Sequence, residues 1–140
     1  MSFSDQQQAQ LAFYRTKLAF EIDSWDVAEQ LKQGAALQLV DGRSAAAYAQ
    51  ETLPGAINLP HRTIRAETTA QLPRDVLLVT FCDGIGCNAS TKTALKLAEL
   101  GFTVKELQGG VDWWKRDGYP TVQGGASCGV APSDDCGCGG

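Results

Sequence analysis

Asp75-Val76-Leu77-Leu78-Val79-Thr80-Phe81 runs directly into Cys82-Asp83-Gly84-Ile85-Gly86-Cys87-Asn88-Ala89-Ser90-Thr91. The first part is too continuously apolar for a half-exposed strand and predicts one buried on both faces. Cys82 then falls at the carboxyl end of that strand. Downstream, Asn88 is placed to cap a helix in which Ala94, Leu97 and Ala98 recur at helical spacing before Gly101, a natural stop. The residues between form a glycine-bearing loop. A strand–loop–helix turn of this kind gathers backbone N–H groups and the helix dipole, which hold an anion or stabilise a thiolate, the reactive form of cysteine.

The same grammar extends in both directions. Leu11, Tyr14 and Leu18 predict an amphipathic N-terminal helix from about Asp5, packed on the outside of the domain with glutamines facing solvent. Phe20-Glu21-Ile22 reads as a short strand. Asp23 or Ser24 is placed to cap a helix through Val27, Ala28 and Leu31 that stops near Gly34. Leu37-Gln38-Leu39-Val40 is a second strand with Asp41 at its carboxyl end, and Ser44 caps a short helix over Ala45 to Gln50. Leu53-Pro54-Gly55 then turns the chain into Ala56-Ile57-Asn58-Leu59. A fifth strand covers Thr103 to Leu107, and Val111 to Asp117 is a final helix. Strands alternating with helices predict an α/β fold: a mostly parallel five-stranded sheet with helices on both faces. Ligands bind such sheets outside the carboxyl ends of strands, where Cys82 lies.

A length of 140 residues accommodates one domain with a real core and a short appendage. We expect an N-terminal helical extension over 1–20, the α/β domain over 21–122 and a Gly/Cys-rich tail over 123–140. That tail is too poor in large apolar residues to offset its ordering entropy unless a metal or disulfide organises it. The formal net charge of −4 supplies no attraction for nucleic acid. No segment has the length of a membrane span, and the N-terminus has neither a basic start nor an apolar secretion segment, so the expectation is a cytoplasmic protein without a membrane partner. Five cysteines, two in one loop and three between 128 and 138, make a poor disulfide framework and favour reactive thiols or metal ligands.

Four segments together resemble the rhodanese-like sulfurtransferases over roughly Ser24 to Val122. They are Leu39-Val40-Asp41-Gly42-Arg43-Ser44 with Tyr48 and Leu53-Pro54-Gly55-Ala56-Ile57-Asn58-Leu59-Pro60; Val79-Thr80-Phe81-Cys82; Leu100-Gly101-Phe102; and Leu107-Gln108-Gly109-Gly110-Val111 with Trp114 and Gly118-Tyr119-Pro120. Any one of these is weak evidence, but their order and spacing together are specific. The resemblance implies a rhodanese-like fold and an enzyme that moves sulfane sulfur through a persulfide on Cys82, the nucleophile, to an acceptor thiol or cyanide. It implies that Asp83, Gly84, Ile85, Gly86, Cys87 and Asn88 cradle the terminal sulfur, and that Asp41 and Arg43 tie the neighbouring strand end together beneath them. Sulfur donor and thiol acceptor, small molecules or proteins, are the implied partners, and no cofactor is required.

The departures from the family pattern carry their own expectations. No Arg or Lys lies between Asp83 and Ser90, the first being Lys92, so thiosulfate would meet amide dipoles and an acidic side chain in place of a guanidinium. The loop is also longer than the common form, which implies a wider pocket for a bulkier donor or a protein partner. Thr52 stands where the family usually has a His, which bears on packing more than on chemistry. Asn88 stands where the related dual-specificity phosphatases place an arginine, and without that guanidinium phosphoryl transfer loses its main counter-charge.

Cys87 has two readings, a resolving thiol for Cys82 or a side chain packed at the helix start. His61 and Arg62 lie near the expected pocket mouth, where a lone loop histidine is most often simply solvated. Of Trp113 and Trp114, one belongs to the core and the other to the surface. The glutamates show no pairing that suggests acid–base catalysis. Cys128, Cys136 and Cys138 are soft ligands suited to Zn, Cu(I) or an iron–sulfur centre, and a fourth ligand would have to come from Asp134, Asp135, Cys87 or another subunit. They also allow a tail that accepts sulfur from Cys82. A redox- or metal-responsive binding module using Cys87 and the tail cysteines on the same scaffold is therefore the alternative function.

Overall fold

Strands β1 (Glu21–Ile22), β2 (Leu37–Asp41), β3 (Ile57–Asn58), β4 (Leu77–Phe81) and β5 (Thr103–Leu107) form one sheet in the order β1-β5-β4-β2-β3, and every adjacent pair is parallel. The computed structural model describes residues 2–125. β4 lies at the centre, paired with β2 from Leu37↔Leu77 to Asp41↔Phe81 and with β5 from Leu77↔Thr103. Its side chains alternate between two cores. Val79 and Phe81 pack with Leu39, Leu107, Val111 and Trp114, whereas Leu78 packs with Val40, Leu97 and Phe102. Leu78 through Phe81 are fully buried, as expected of a strand covered on both faces. Each such apolar side chain contributes about 1.5–3 kcal/mol by leaving water.

Helices α2 (Ser24–Lys32) and α5 (Gly110–Arg116) cover one face through Val27, Val111 and Trp114. Helix α4 (Ala89–Glu99) covers the other through Leu97. The short α3 (Ala45–Gln50) is anchored by buried Tyr48, whose hydroxyl donates to the Ala56 carbonyl at 3.0 Å. The caps follow local chemistry. Asp23 caps α2 by accepting from the Asp26 N–H at 2.8 Å, while Ser24 is already inside the helix. Ser44 caps α3 as expected. Asn88 occupies the N-cap position of α4 but its side chain makes no capping bond, because its backbone (φ −106°, ψ 13°) is not in the extended region that aims a cap side chain at the helix amides.

Helix α1 (Asp5–Phe20) forms, begun by a Ser4–Gln7 capping box, but no residue in it is buried. The expected stripe of Leu11, Tyr14 and Leu18 is exposed, with Leu18 at 80%. Both sheet faces are already covered by α2, α4 and α5, and α1 lies against β1 and β5 at the sheet edge. Among the described residues no helix is long and apolar enough to cross a membrane.

The topology creates one crevice. From β2 the chain passes through α3 outward to β3, and from β4 it passes through α4 in the opposite direction to β5. Crossovers that diverge leave a gap at the carboxyl ends of the two strands between them. Asp41 and Phe81 are register partners there, and the Gly42 N–H donates to the Phe81 carbonyl at 3.1 Å. Gly42 and Arg43 are thereby brought next to Cys82.

Candidate active site

Cys82 follows the last residue of β4 and is only 2% exposed. Its carbonyl accepts from the Val111 N–H at 2.9 Å, and the Asp83 carbonyl accepts from the Asp112 N–H at 2.8 Å. The first turn of α5 thus clamps the backbone on which the cysteine sits. Gly110 makes this approach possible. It has φ +57°, and a Cβ there would run into the Cys82 carbonyl, so two independent constraints select glycine.

Beyond Cys82 the loop closes on itself. The Cys87 N–H donates to the Gly84 carbonyl at 3.2 Å, Gly86 turns through φ +95°, and the Cα atoms of Cys82 and Cys87 lie 6.2 Å apart, joined by a disulfide. Of the two readings of Cys87, the structure therefore realises the one in which it meets Cys82. Among the described residues, Cys87 is the one position from Asp83 to Asn88 whose amide donates to a protein acceptor. The remaining amides of this segment are unspent, as an anion cradle requires.

The floor of the loop is an ionic cluster. The Asp41 carboxylate is fully buried. Its Oδ1 accepts from the Arg43 N–H at 2.9 Å and from Arg43 Nε at 3.0 Å. Its Oδ2 accepts from Arg43 Nη2 and Thr52 Oγ1, both at 2.8 Å. Arg43 Nη1 reaches up to Asp83 Oδ1 at 2.9 Å, and Nη2 also donates to the Glu51 carbonyl. Burial works against the Arg43 charge, but hydrogen bonds and charge from Asp41 and then Asp83 outweigh it and hold the guanidinium pKa above its ordinary value. Asp41 and Arg43 occupy the place beneath the loop that the sequence resemblance implied. Thr52, which the sequence tied to packing more than to chemistry, adds a bond to the Asp41 carboxylate.

A cavity of about 240 Å³ opens over the disulfide, and its lining includes Cys82, Cys87, Gly84 and Gly86 together with Glu21, Glu106 and Gln108. It presents two carboxylates and no basic side chain. Glu106 Oε2 accepts from Ser90 Oγ at 2.7 Å and Thr91 Oγ1 at 2.6 Å, so it organises the first turn of α4 from across the cavity. Burial raises the Glu21 pKa, but bonds from Lys17 and Gln108 and the Lys17 charge more than reverse this, leaving Glu21 an anion with a pKa below its ordinary value. Glu21, Glu106, Ser90 and Thr91 were missed in the sequence. The available signal was Glu106 lying one residue before Leu107 at the end of a strand adjoining β4.

The other predicted residues divide clearly. Asp83, Ile85 and Asn88 are on the loop, with Ile85 79% exposed. His61 lies in a 3₁₀ turn (His61–Thr63) on the α4 side, with Lys96 Nζ donating to its carbonyl, and neither His61 nor Arg62 lines the Cys82 cavity. Trp114 is core and Trp113 is exposed. The tail cysteines Cys128, Cys136 and Cys138, with Asp134 and Asp135, lie outside the described residues.

Residues 24–117 match the rhodanese-like domain. The chain is 31% identical over 102 residues to a sulfurtransferase of Allochromatium vinosum, covering 73% of this chain and 94% of that one. Among solved structures, the BH2092 protein of Bacillus halodurans is similar with a TM-score of 0.78 at 36% identity, over 84% of this chain and 86% of that one. The rhodanese-like domain of the Alr3790 protein from Anabaena gives a TM-score of 0.65 at 25% identity, over 82% and 87% of the two chains. With a parallel sheet, a cysteine loop at its crest and these relatives, this chain belongs to the rhodanese-like domain family.

Proposed function

We propose that this chain is a sulfurtransferase whose Cys82 carries sulfane sulfur as a persulfide. The observation that carries the reading is the position of Cys82 at the end of the central strand, under a loop whose amides are almost all unspent. With the disulfide reduced, the Cys82 thiolate attacks the outer sulfur of a donor R–S–SH. The Cys82–S–SH bond forms as the donor S–S bond breaks, and R–S⁻ leaves. An acceptor thiolate then takes the outer sulfur and returns Cys82 to the thiolate. The unspent backbone amides of Asp83, Gly84, Ile85, Gly86 and Asn88 hold the terminal sulfur, the Cys87 amide closes the loop on the Gly84 carbonyl, and Asp41 and Arg43 fix the floor.

The lining argues about the donor. Glu21 and Glu106 disfavour a dianion such as thiosulfate, whereas exposed Ile85 and Trp113 border an adjoining cavity of about 440 Å³ that shares Glu21, Ile85, Gln108 and Gly109 with the first. An organic persulfide, free or carried by a protein, suits that rim better than an inorganic anion. The test is intact mass and peptide mapping of pre-reduced protein carrying Cys87→Ser, which leaves no second loop thiol to displace the sulfur, after exposure to a low-molecular-weight persulfide. One sulfur gained on Cys82 and removed by thiol or cyanide supports the reading, with Cys82→Ser gaining none. Unchanged transfer by Cys82→Ser would overturn it.

A second reading has one observation in its favour. The sulfurs of Cys82 and Cys87 and a carboxylate oxygen of Asp83 lie within 4.8 Å of one another, so the reduced site offers a metal two thiolates and a carboxylate. In that reading the fold is a redox- or metal-responsive binding module. Stoichiometric metal on reduced protein, lost in Cys87→Ser, would favour it.

A further inference from the structure

We infer that Cys87 resolves the Cys82 persulfide and makes the protein release the sulfur as sulfide, so that the site is a dithiol-linked sulfane reductase as well as a carrier. The inference rests on the proposed Cys82 persulfide. It stands on the Cys82–Cys87 disulfide and on where that disulfide lies. Cys82 is 2% exposed, so an external acceptor must enter the cavity to reach its sulfur. Cys87 lines the same cavity, on the same loop, within bonding reach. A thiol already held beside its target competes as an intramolecular group, at an effective concentration on the order of mM or above. The 6.2 Å between the Cα atoms lies inside the range that a disulfide spans, and Gly84 and Gly86 on the intervening segment leave the backbone free to close.

The chemistry balances without an added oxidant. The Cys87 thiolate attacks the inner sulfur, the Sγ of Cys82. The Cys82–Cys87 bond forms, the bond from Sγ to the outer sulfur breaks, and HS⁻ leaves. Two thiols are oxidised to the disulfide, and the sulfane sulfur takes up the two electrons to become sulfide. An external dithiol then reduces the disulfide and is itself oxidised, restoring both thiols for the next turnover. Attack by Cys87 on the outer sulfur instead would pass the persulfide along the loop with no net redox change and no sulfide.

The experiment is a single turnover. Pre-reduced full-length protein, freed of reductant, is mixed with one equivalent of a low-molecular-weight persulfide, and sulfide and intact mass are followed together. Wild type is expected to release about one sulfide per Cys82 loaded and to finish at the mass of the disulfide form, following the stoichiometry of intramolecular exchange. Cys87→Ser is expected to hold the extra sulfur on Cys82 and to release no sulfide until a thiol is added. Cys87→Ala, checked by circular dichroism, repeats the measurement should the serine variant fold poorly. If wild type and Cys87→Ser both load and both retain the sulfur, or both release sulfide at the same rate, the resolving role is overturned while the carrier function stands. If neither takes up sulfur on Cys82, the carrier function falls and the resolving role with it.

Discussion

Arg43 Nη1 donates to Asp83 Oδ1 at 2.9 Å across forty residues of sequence, joining the end of β2 to the first residue after the cysteine. The same guanidinium bonds buried Asp41 through Nε and Nη2 and donates from Nη2 to the Glu51 carbonyl, so one side chain couples the sheet to the loop. Its two carboxylate partners differ in weight. Asp83 is 71% exposed and Asp41 is fully buried. Removing Arg43 leaves a buried carboxylate without its cation, so Arg43→Ala is expected to cost about 3–5 kcal/mol. Asp83→Ala is expected to cost about 1 kcal/mol or less, as exposed pairs do. Urea unfolding of the two variants measures the difference, and Arg43→Lys restores little because it cannot fork across both Asp41 oxygens.

Thr52 stands at a position where bulk alone does not account for it. Its hydroxyl donates to Asp41 Oδ2 at 2.8 Å inside the fold. Thr52→Val keeps the shape and deletes the donor, and the expected loss is about 1–3 kcal/mol from a charged acceptor left one bond short. Equal denaturation midpoints for wild type and variant would remove Thr52 from the support of Asp41.

Glu106 sets the sign of the cavity. Glu106→Gln keeps an oxygen for Ser90 and Thr91 while deleting the charge, so the fold is expected to survive. For thiosulfate, kcat/KM is expected to rise about fivefold, the equivalent of ~1 kcal/mol of relieved repulsion. A singly charged persulfide is expected to gain less. Steady-state rates with both donors check this, and an equal gain for the two would assign the effect to something other than charge.

Glu51 ties the end of α3 to α5. Its carboxylate accepts from Thr121 Oγ1 at 2.7 Å and from Lys115 Nζ at 3.0 Å. Those two bonds, Thr121 first, and the nearby positive charges outweigh partial burial and hold its pKa below the ordinary 4.5. A carboxylate lowered in the folded state adds stability above its unfolded pKa and loses it as pH falls through the folded one. Wild type is therefore expected to lose this increment below about pH 4.5, and Glu51→Gln to lack it at all pH. Screening at this partly exposed pair limits it to about 1 kcal/mol or less. Thermal melts of both proteins from neutral pH downward measure the convergence.

Local pattern carried the element order. Unbroken apolar residues marked β4 as a doubly buried strand, Gly34 and Gly101 marked helix ends, and Cys82 was readable as the residue where the central strand stops. Asp41 was legible as the end of a strand, and its role with Arg43 only through the resemblance to a family whose strand ends in Asp-x-Arg. These features depend on residues a few positions apart, whose periodicity and turn chemistry act before the chain folds back on itself. Long-range pairing governed the rest. Which face α1 offered to the sheet depended on whether that face was still open, and α2, α4 and α5 had already covered it. The bond from Thr52 to Asp41, the reach of Glu106 to Ser90 and Thr91, and the clamp of Gly110 and Val111 on Cys82 join residues eleven to twenty-nine positions apart. Sequence spacing left Cys87 between packing and pairing. The backbone path through Gly84 and Gly86 settled it, because a disulfide needs two sulfurs at one point in space and no pattern of residue types specifies that distance.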